Sequence, residues 1–409
     1  MILQPRNLGS SSTINLIDSD QLLDQWLPLL TSDLGPVGVD TERASGFRYF
    51  QQAYLIQLKT NSSGVLLIDP VSITQVGLAK LNLALSGKQW ILHSASQDLQ
   101  SLRLCGLNPD QVFDTELAAR ILGRPRVGLG PLIEDVLSIS LPKEHANSDW
   151  SQRPLPVSWL VYAADDVEFL IDLAAVLTDE LEQVGKLEWA IQEFAHLVSV
   201  APTPPKVEPW RSTTDIHLVK SRLGMAVVRQ LWITRDRIAQ DLDLAPHRIV
   251  NDRAISALAR AVNESVPVTQ LSWPDKDWNT AICREHLNEF RAGLDAAVQT
   301  KESDLPPMRI ASTEITTPSR WSRLNLDADK RWKLVRPAVV ALATTLKLPV
   351  EVLISPKALR GLLWEPAGVD PASIDDQLSL AGVRQWQRDL LVELIADLLS
   401  GNQLANPGD

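Results

Sequence analysis

An apolar run, Val37-Gly38-Val39, leads directly into two carboxylates, Asp40 and Glu42. If the run is a strand, both acids project from the same face, because side chains two apart in a strand share a side. Two carboxylates beside core-forming residues repel each other unless something positive lies between them. The fold must therefore bring compensating groups to the end of this strand, and a divalent cation meets that need.

Two later segments offer partners. QWILHSASQDLQSL reads as a short strand, Trp90 to Leu92, then a turn of small residues, then a helix with Asp98 in its first turns. Taken alone, Asp98 reads equally well as charge complementing the helix macrodipole. In YAADDVEFL, Tyr162 and Asp166 stand one turn apart on a helix predicted over Val157 to Leu177, with Leu160, Val167, Leu170, Ala174 and Leu177 as its core stripe. Asp165 precedes Asp166, but the four-residue spacing from Tyr162 favours Asp166. Asp114 and Glu116 read as a helix N-cap and first-turn charge, with a supporting place behind the site as the alternative.

The set Asp40, Glu42, Asp98, Tyr162 and Asp166 resembles the site of the 3′-5′ exonucleases that use three Asp, one Glu and a Tyr, and within them the ribonuclease D family. The resemblance spans nearly all of the first 200 residues, including AYLIQL, VFDTELAARILG and SDWSQRPL. Relatives lacking the tyrosine place a histidine five residues before the last aspartate; Val161 stands there, so the tyrosine form fits better. The resemblance implies an α/β catalytic domain with a ribonuclease H-like mixed sheet flanked by helices. Its strands would include VGVDTE, AYLIQLKT, GVLLIDP and Trp90 to Leu92.

It also implies that Asp40, Glu42, Asp98 and Asp166 ligate metal and that Tyr162 orients, or helps to deprotonate, the attacking water. Four carboxylates suit Mg²⁺ or Mn²⁺ rather than zinc, which would call for Cys or His clusters. Two such ions about 3.5–4 Å apart would serve an in-line phosphoryl transfer. RNA with a free 3′ end is the implied partner, transfer RNA precursors among the candidates, with nucleoside 5′-monophosphates as products. DNA as substrate stays open, because the motif handles phosphodiesters without reading the 2′-hydroxyl. A non-catalytic RNA-binding protein is the third reading, disfavoured by the intact set of five residues.

A net charge of −11 at first opposes a nucleic-acid partner. Yet the whole deficit lies in residues 1–205, which hold 13 Lys+Arg against 24 Asp+Glu, so bound cations would offset part of it. Two cysteines, Cys105 and Cys283, both in apolar patterns, give no disulfide framework. No signal-like segment opens the chain and no apolar stretch approaches 18 residues, so the expected setting is cytoplasmic with no membrane partner.

Prolines suggest the boundaries: an exonuclease domain over 1–200, a Pro-rich linker over 201–214, a helical domain over 215–300, a second linker over 301–325 and a second helical domain over 326–402. The two helical domains are linked by a repeat. Ile238 to Ile255 aligns without gaps with Leu342 to Leu359 at an offset of 104, each copy reading as helix, short apolar connector, new helix. Two all-α bundles follow. The first resembles the helicase-and-ribonuclease-D C-terminal (HRDC) domain in GMAVVRQLWITRDRIAQDLDLAPHRIVNDRAI; the second copy is more divergent.

Candidate substrate contacts are Arg43, Phe47, Tyr49, Arg124, Arg126, Trp150 and Arg153 around the site, and Lys220, Arg222 and Arg229 with further arginines (Arg235, Arg237, Arg248, Arg253, Arg260) in the first helical domain. The alternative for each arginine is a solvated surface, balanced in the helical domain by Asp236, Asp241 and Asp243. Of the 13 tryptophans, those such as Trp232 and Trp386 in amphipathic helices belong to cores.

Overall fold

The computed structural model describes residues 2–3, 14–141, 148–201, 204, 206–262, 278, 280–310 and 315–401. Parts of both predicted linkers (202, 203, 205 and 311–314) and the last position of the second predicted helical domain (402) lie outside the described residues. Seven strands form one mixed sheet: β1 (Ile2–Leu3), β2 (Ile14–Ile17), β3 (Val37–Arg43), β4 (Ala53–Thr60), β5 (Gly64–Ile68), β6 (Gln89–Leu92) and β7 (Gln111–Asp114). The order is β1-β2-β5-β4-β3-β6-β7. β3 lies between antiparallel β4 and parallel β6. The four strands expected from sequence are present. β2 and β7 are too short for alternation to reveal, and they add to the edges.

One face of the sheet, with Val37, Val39, Ile56, Leu58, Leu66 and Ile68, is covered by α1 (Asp20–Ser32), α2 (Gln75–Ala84) and α3 (Ala95–Leu104). The opposite face, with Leu55, Val65, Leu67 and Ile91, is covered by α4 (Thr115–Leu122), α5 (Leu129–Leu137), α6 (Val157–Glu168), α7 (Leu170–Gln183) and α8 (Leu187–Ser199). The single helix predicted over Val157 to Leu177 is in fact two, α6 and α7, broken at Phe169 (φ −110°, ψ 5°). The break seats on Gly38: a Cβ there would lie 3.3 Å from the Val167 carbonyl and 3.4 Å from Leu170 Cβ. The apolar stripe passes through this bend without interruption, so periodicity alone gives no sign of it.

Helices make up the rest: α9 (Arg222–Asp241), α10 (Pro246–Ile249), α11 (Asp252–Ala261), α12 (Ala281–Glu285), α13 (Leu287–Val298), α14 (Trp321–Leu324), α15 (Leu326–Thr345), α16 (Val350–Leu353), α17 (Pro356–Trp364), α18 (Pro371–Leu380) and α19 (Gln385–Ser400). α9, α10 and α11 recur as α15, α16 and α17, each starting 104 residues later. Even the left-handed turn recurs, at Asp243 (φ 47°) and Lys347 (φ 54°). The predicted linkers are partly core, since Trp210 and Trp321 are buried in the first and second helical units. No described helix is long and apolar enough to cross a membrane.

Both repeat turns dock on the sheet domain. Asp243 accepts the amides of Tyr49 and Phe50, each at 3.1 Å, and the Tyr54 hydroxyl at 3.2 Å. At the other turn, the Lys186 ammonium, on the sheet side, donates to the carbonyls of Ile121 (2.8 Å) and Leu346 (2.7 Å). Gly123, in the left-handed region at the end of α4, abuts the Lys347 backbone, where a side chain would collide. Any residue with a Cβ at 123 is both strained and obstructed.

Candidate active site

β3 presents Asp40 and Glu42 on the face that α6 covers, and α6 supplies Asp166. One oxygen of each of these three carboxylates lies within 4.8 Å of the others. Asp98 comes from α3 on the other face. Its Oδ1 accepts from the Thr41 hydroxyl (2.8 Å), which also meets Ser101 Oγ at 3.0 Å. The site is thus assembled at the end of β3, an interior strand, from both faces of the sheet. Asp98 stands outside the trio yet close enough to raise the Asp40 pKa.

Burial and mutual repulsion act in one direction. Burial is the largest cause in each case: it pushes the Glu42 carboxyl up to about 9, Asp166 to about 7 and Asp98 to about 6. Asp40 is held well above the carboxylate range by burial and then by Asp98, Asp166 and Glu42. Tyr162 hydrogen-bonds Asp166, which opposes that group's rise, and its own phenol is pushed up by burial and the neighbouring carboxylates. Without a cation this cluster holds protons; with one, the charges are compensated. A donor set of carboxylates alone, on a strand and two helices, fits a hard divalent ion.

Asp114 braces the site from behind. Its carboxylate caps α4 through the amides of Glu116 (2.9 Å) and Leu117 (3.1 Å) and also accepts those of Ser94 (3.1 Å) and Ala95 (2.9 Å). Ser94 is left-handed (φ 60°, ψ 48°), so Asp114 fixes the turn that launches α3 and aims Asp98. Replacing Asp114 by Ala leaves four amides without an acceptor. It is expected to cost about 2–4 kcal/mol in urea unfolding and about tenfold in Mn²⁺ affinity. A loss below about 0.5 kcal/mol would show that the amides find other acceptors. The N-cap was legible in sequence; the second pair of bonds, spanning about twenty residues, was not.

The other sequence candidates occupy varied places. Arg43 and Phe47 line a cleft of roughly 330 Å³ with Thr41, Glu42, Ser45, Gly46 and Ser148. Phe47 also lies under the Arg248 guanidinium (4.2 Å), and its carbonyl accepts Ala245 N–H (3.0 Å). Tyr49, whose hydroxyl bonds Asp236 at 3.3 Å, belongs to the contact with the first helical unit. Trp150 is buried (1% exposed), its ring 5.2 Å from Trp159 and 6.4 Å from Tyr162. It supports Tyr162 from behind. Arg124 pairs with Glu180, Arg126 with Glu134 and Asp135, and Arg153 with Asp69 and the Tyr54 carbonyl. Lys220 donates to the His217 carbonyl, Arg222 binds Glu302 and the Leu305 carbonyl, and Arg229 Nε is buried. Most of these side chains hold the fold together, and none of the pairings was visible from local sequence.

A carboxylate cluster at the end of an interior strand of a mixed sheet, with a tyrosine one turn from its last aspartate, is the arrangement expected of a 3′-5′ exonuclease. Residues 14–182 match the model of the 3′-5′ exonuclease family, so this part of the chain is a 3′-5′ exonuclease domain. Residues 225–266 match the HRDC domain, and 314–399 match the domain described as the 3′ to 5′ exonuclease C-terminal domain. Within the family the chain resembles ribonuclease D along its length. It is 26% identical to ribonuclease D of Escherichia coli K12 over 371 residues, which cover 89% of this chain and 92% of that one. The crystal structure of E. coli RNase D, an exoribonuclease involved in structured RNA processing, superimposes with a TM-score of 0.65 at 25% identity, covering 95% of this chain and 99% of that one. A protein from Bifidobacterium adolescentis superimposes with a TM-score of 0.83 at 30% identity, covering 95% and 97%.

Proposed function

We propose that this protein is a 3′-5′ exoribonuclease that removes nucleoside 5′-monophosphates one at a time from RNA with a free 3′ end, and that Asp40, Glu42, Asp98 and Asp166 hold two divalent cations, Mg²⁺ or Mn²⁺. The observation that supports this reading best is the Asp40, Glu42 and Asp166 trio, within 4.8 Å and proton-holding when bare. Bound there, the cations would polarise the scissile phosphate and offset charge on the departing 3′ oxygen. Tyr162 accepts or donates at the water that attacks; with its phenol raised above the usual range, orienting that water suits it better than deprotonating it. Thr41 holds Asp98, and the cleft beside Glu42 receives the terminal nucleotide. Transfer RNA precursors and other structured RNAs are the proposed substrates, in keeping with the role stated for the E. coli structure. A cytoplasmic setting suits two buried, unpaired cysteines.

The test is degradation of a 5′-labelled single-stranded RNA with Mg²⁺ or Mn²⁺, beside the same strand blocked at its 3′ end, with EDTA and Asp40→Asn as controls. A ladder shortening from the 3′ end, absent from the controls, is expected. No cleavage by folded protein would overturn the reading. Preference for a matched DNA strand in competition would replace the substrate.

A further inference from the structure

Gln57 is fully buried (0% exposed), and neither its amide nitrogen nor its amide oxygen has a hydrogen-bond partner among the described residues. A buried primary amide with both ends unsatisfied is rare and costly. Its location gives the reason for keeping it. On β4, Gln57 is the cross-strand partner of Asp40 on β3, so the two side chains leave the sheet on the same face, under α6. Directly paired residues have Cβ atoms about 4.5–5.5 Å apart, within reach of a glutamine side chain. On its other flank Gln57 pairs with Leu67 of β5, which offers nothing polar. The charged pair next along β4 on this face, Lys59 with Glu168, is already made at 2.9 Å.

We infer that Gln57 is a positioning residue for the Asp40 carboxylate: its amide N–H is reserved for Asp40 in the cation-loaded site, where it holds the carboxylate oriented toward the ion. In the bare protein the amide is an orphan; in the loaded protein it is half of a buried hydrogen bond between neighbouring strands. The two states give Gln57 opposite effects, which separates this role from a merely structural one. A structural glutamine has partners at all times, and its loss destabilises the bare protein. A reserved glutamine costs the bare protein stability, and its replacement by an apolar side chain of similar shape relieves that cost.

The inference rests on the proposed reading of the acidic cluster as a cation site. The test is Gln57→Met, with Gln57→Leu as a second apolar replacement should the first fold poorly, measured in the full chain without substrate. Mn²⁺ affinity, read by the loss of free-ion electron paramagnetic resonance signal, is expected to fall about tenfold to a hundredfold, the range for groups that orient a ligand. The thermal midpoint of the EDTA-treated protein is expected to stay level or rise. Parental Mn²⁺ affinity in a folded variant, or a lowered midpoint without metal in both variants, would overturn the role of Gln57. If the parent protein itself took up no Mn²⁺, the cation-site reading would fall instead, so the two failures are distinguishable.

Discussion

Asp166→Asn is expected to reduce exonuclease activity by about a thousandfold or more, as removal of a metal-holding carboxylate should, while making the metal-free protein more stable at pH 8. The second half follows from proton linkage. In the folded chain Glu42, Asp166 and Asp98 release their protons near 9, 7 and 6, whereas unfolded carboxylates do so near 4. Between those limits the folded state binds more protons than the unfolded one, so metal-free stability falls as pH rises. The repulsion so built up at pH 8 destabilises the metal-free fold, and asparagine removes a share of it without changing shape. Near pH 4 the folded carboxyls are protonated and the unfolded ones about half so, so the two states differ little in bound protons and most of the variant's advantage disappears. Mg²⁺ should raise the midpoint of the parent and leave that of the variant nearly unchanged. Because cations must displace these protons, parental metal affinity should climb from pH 6 toward pH 9. Thermal melts at pH 4 and pH 8, with EDTA or Mg²⁺, read all of this. Equal metal-free melting of variant and parent at both pH values would remove Asp166 from the cluster.

Asp40, Glu42 and Asp166, which the structure brings together, lie in short segments with a readable local pattern, two acids on a strand end and an Asp one turn from a Tyr, whereas Asp98 was ambiguous alone and entered the proposed set through the family resemblance. What local pattern cannot contain is the partner at a distance. Asp98 arrives from the face opposite Asp40, which the strand and helix periods do not specify. Tyr49 and Phe47 follow the first motif closely enough to suggest substrate, yet their partners, Asp236, Asp243 and Arg248, lie nearly 200 residues on. The break at Phe169 was hidden for a related reason: a bend that keeps its stripe on the core leaves the apolar spacing intact. The repeat was an exception among long-range features, because two copies of one unit reveal each other, down to the left-handed turns at Asp243 and Lys347. Those two turns dock on different parts of the sheet domain and by different groups, the Asp243 carboxylate in one and the backbone at Leu346 and Lys347 in the other.

Glu193→Ala is expected to cost about 3–5 kcal/mol of unfolding free energy, far more than a change outside the active site usually does. Glu193 lies on α8, behind the sheet domain, 6% exposed. Its two oxygens accept the Arg384 guanidinium at 2.7 Å each, and Oε1 also takes the Trp386 indole N–H at 3.0 Å. Alongside, Trp189 stacks on Trp386 at 4.8 Å and 15°. Alanine would strand a mostly buried guanidinium and an indole, the most expensive way to break such a contact; Glu193→Gln keeps one acceptor and should cost less. The wider consequence concerns cooperativity. Phe113, Phe194 and Leu177 of the sheet domain share one continuous apolar core with Val339, Leu362 and Ile395 of the second helical unit. A truncation that removes residues 315–409 would therefore expose core rather than uncouple a module, and it should abolish activity on short and long RNA alike. Urea unfolding of the parent should show the sheet domain and the second helical unit lost together, with Glu193→Ala shifting that whole transition to lower urea. Two separated transitions, with only the later-chain helices affected by the substitution, would mean that the second unit is an independent domain after all.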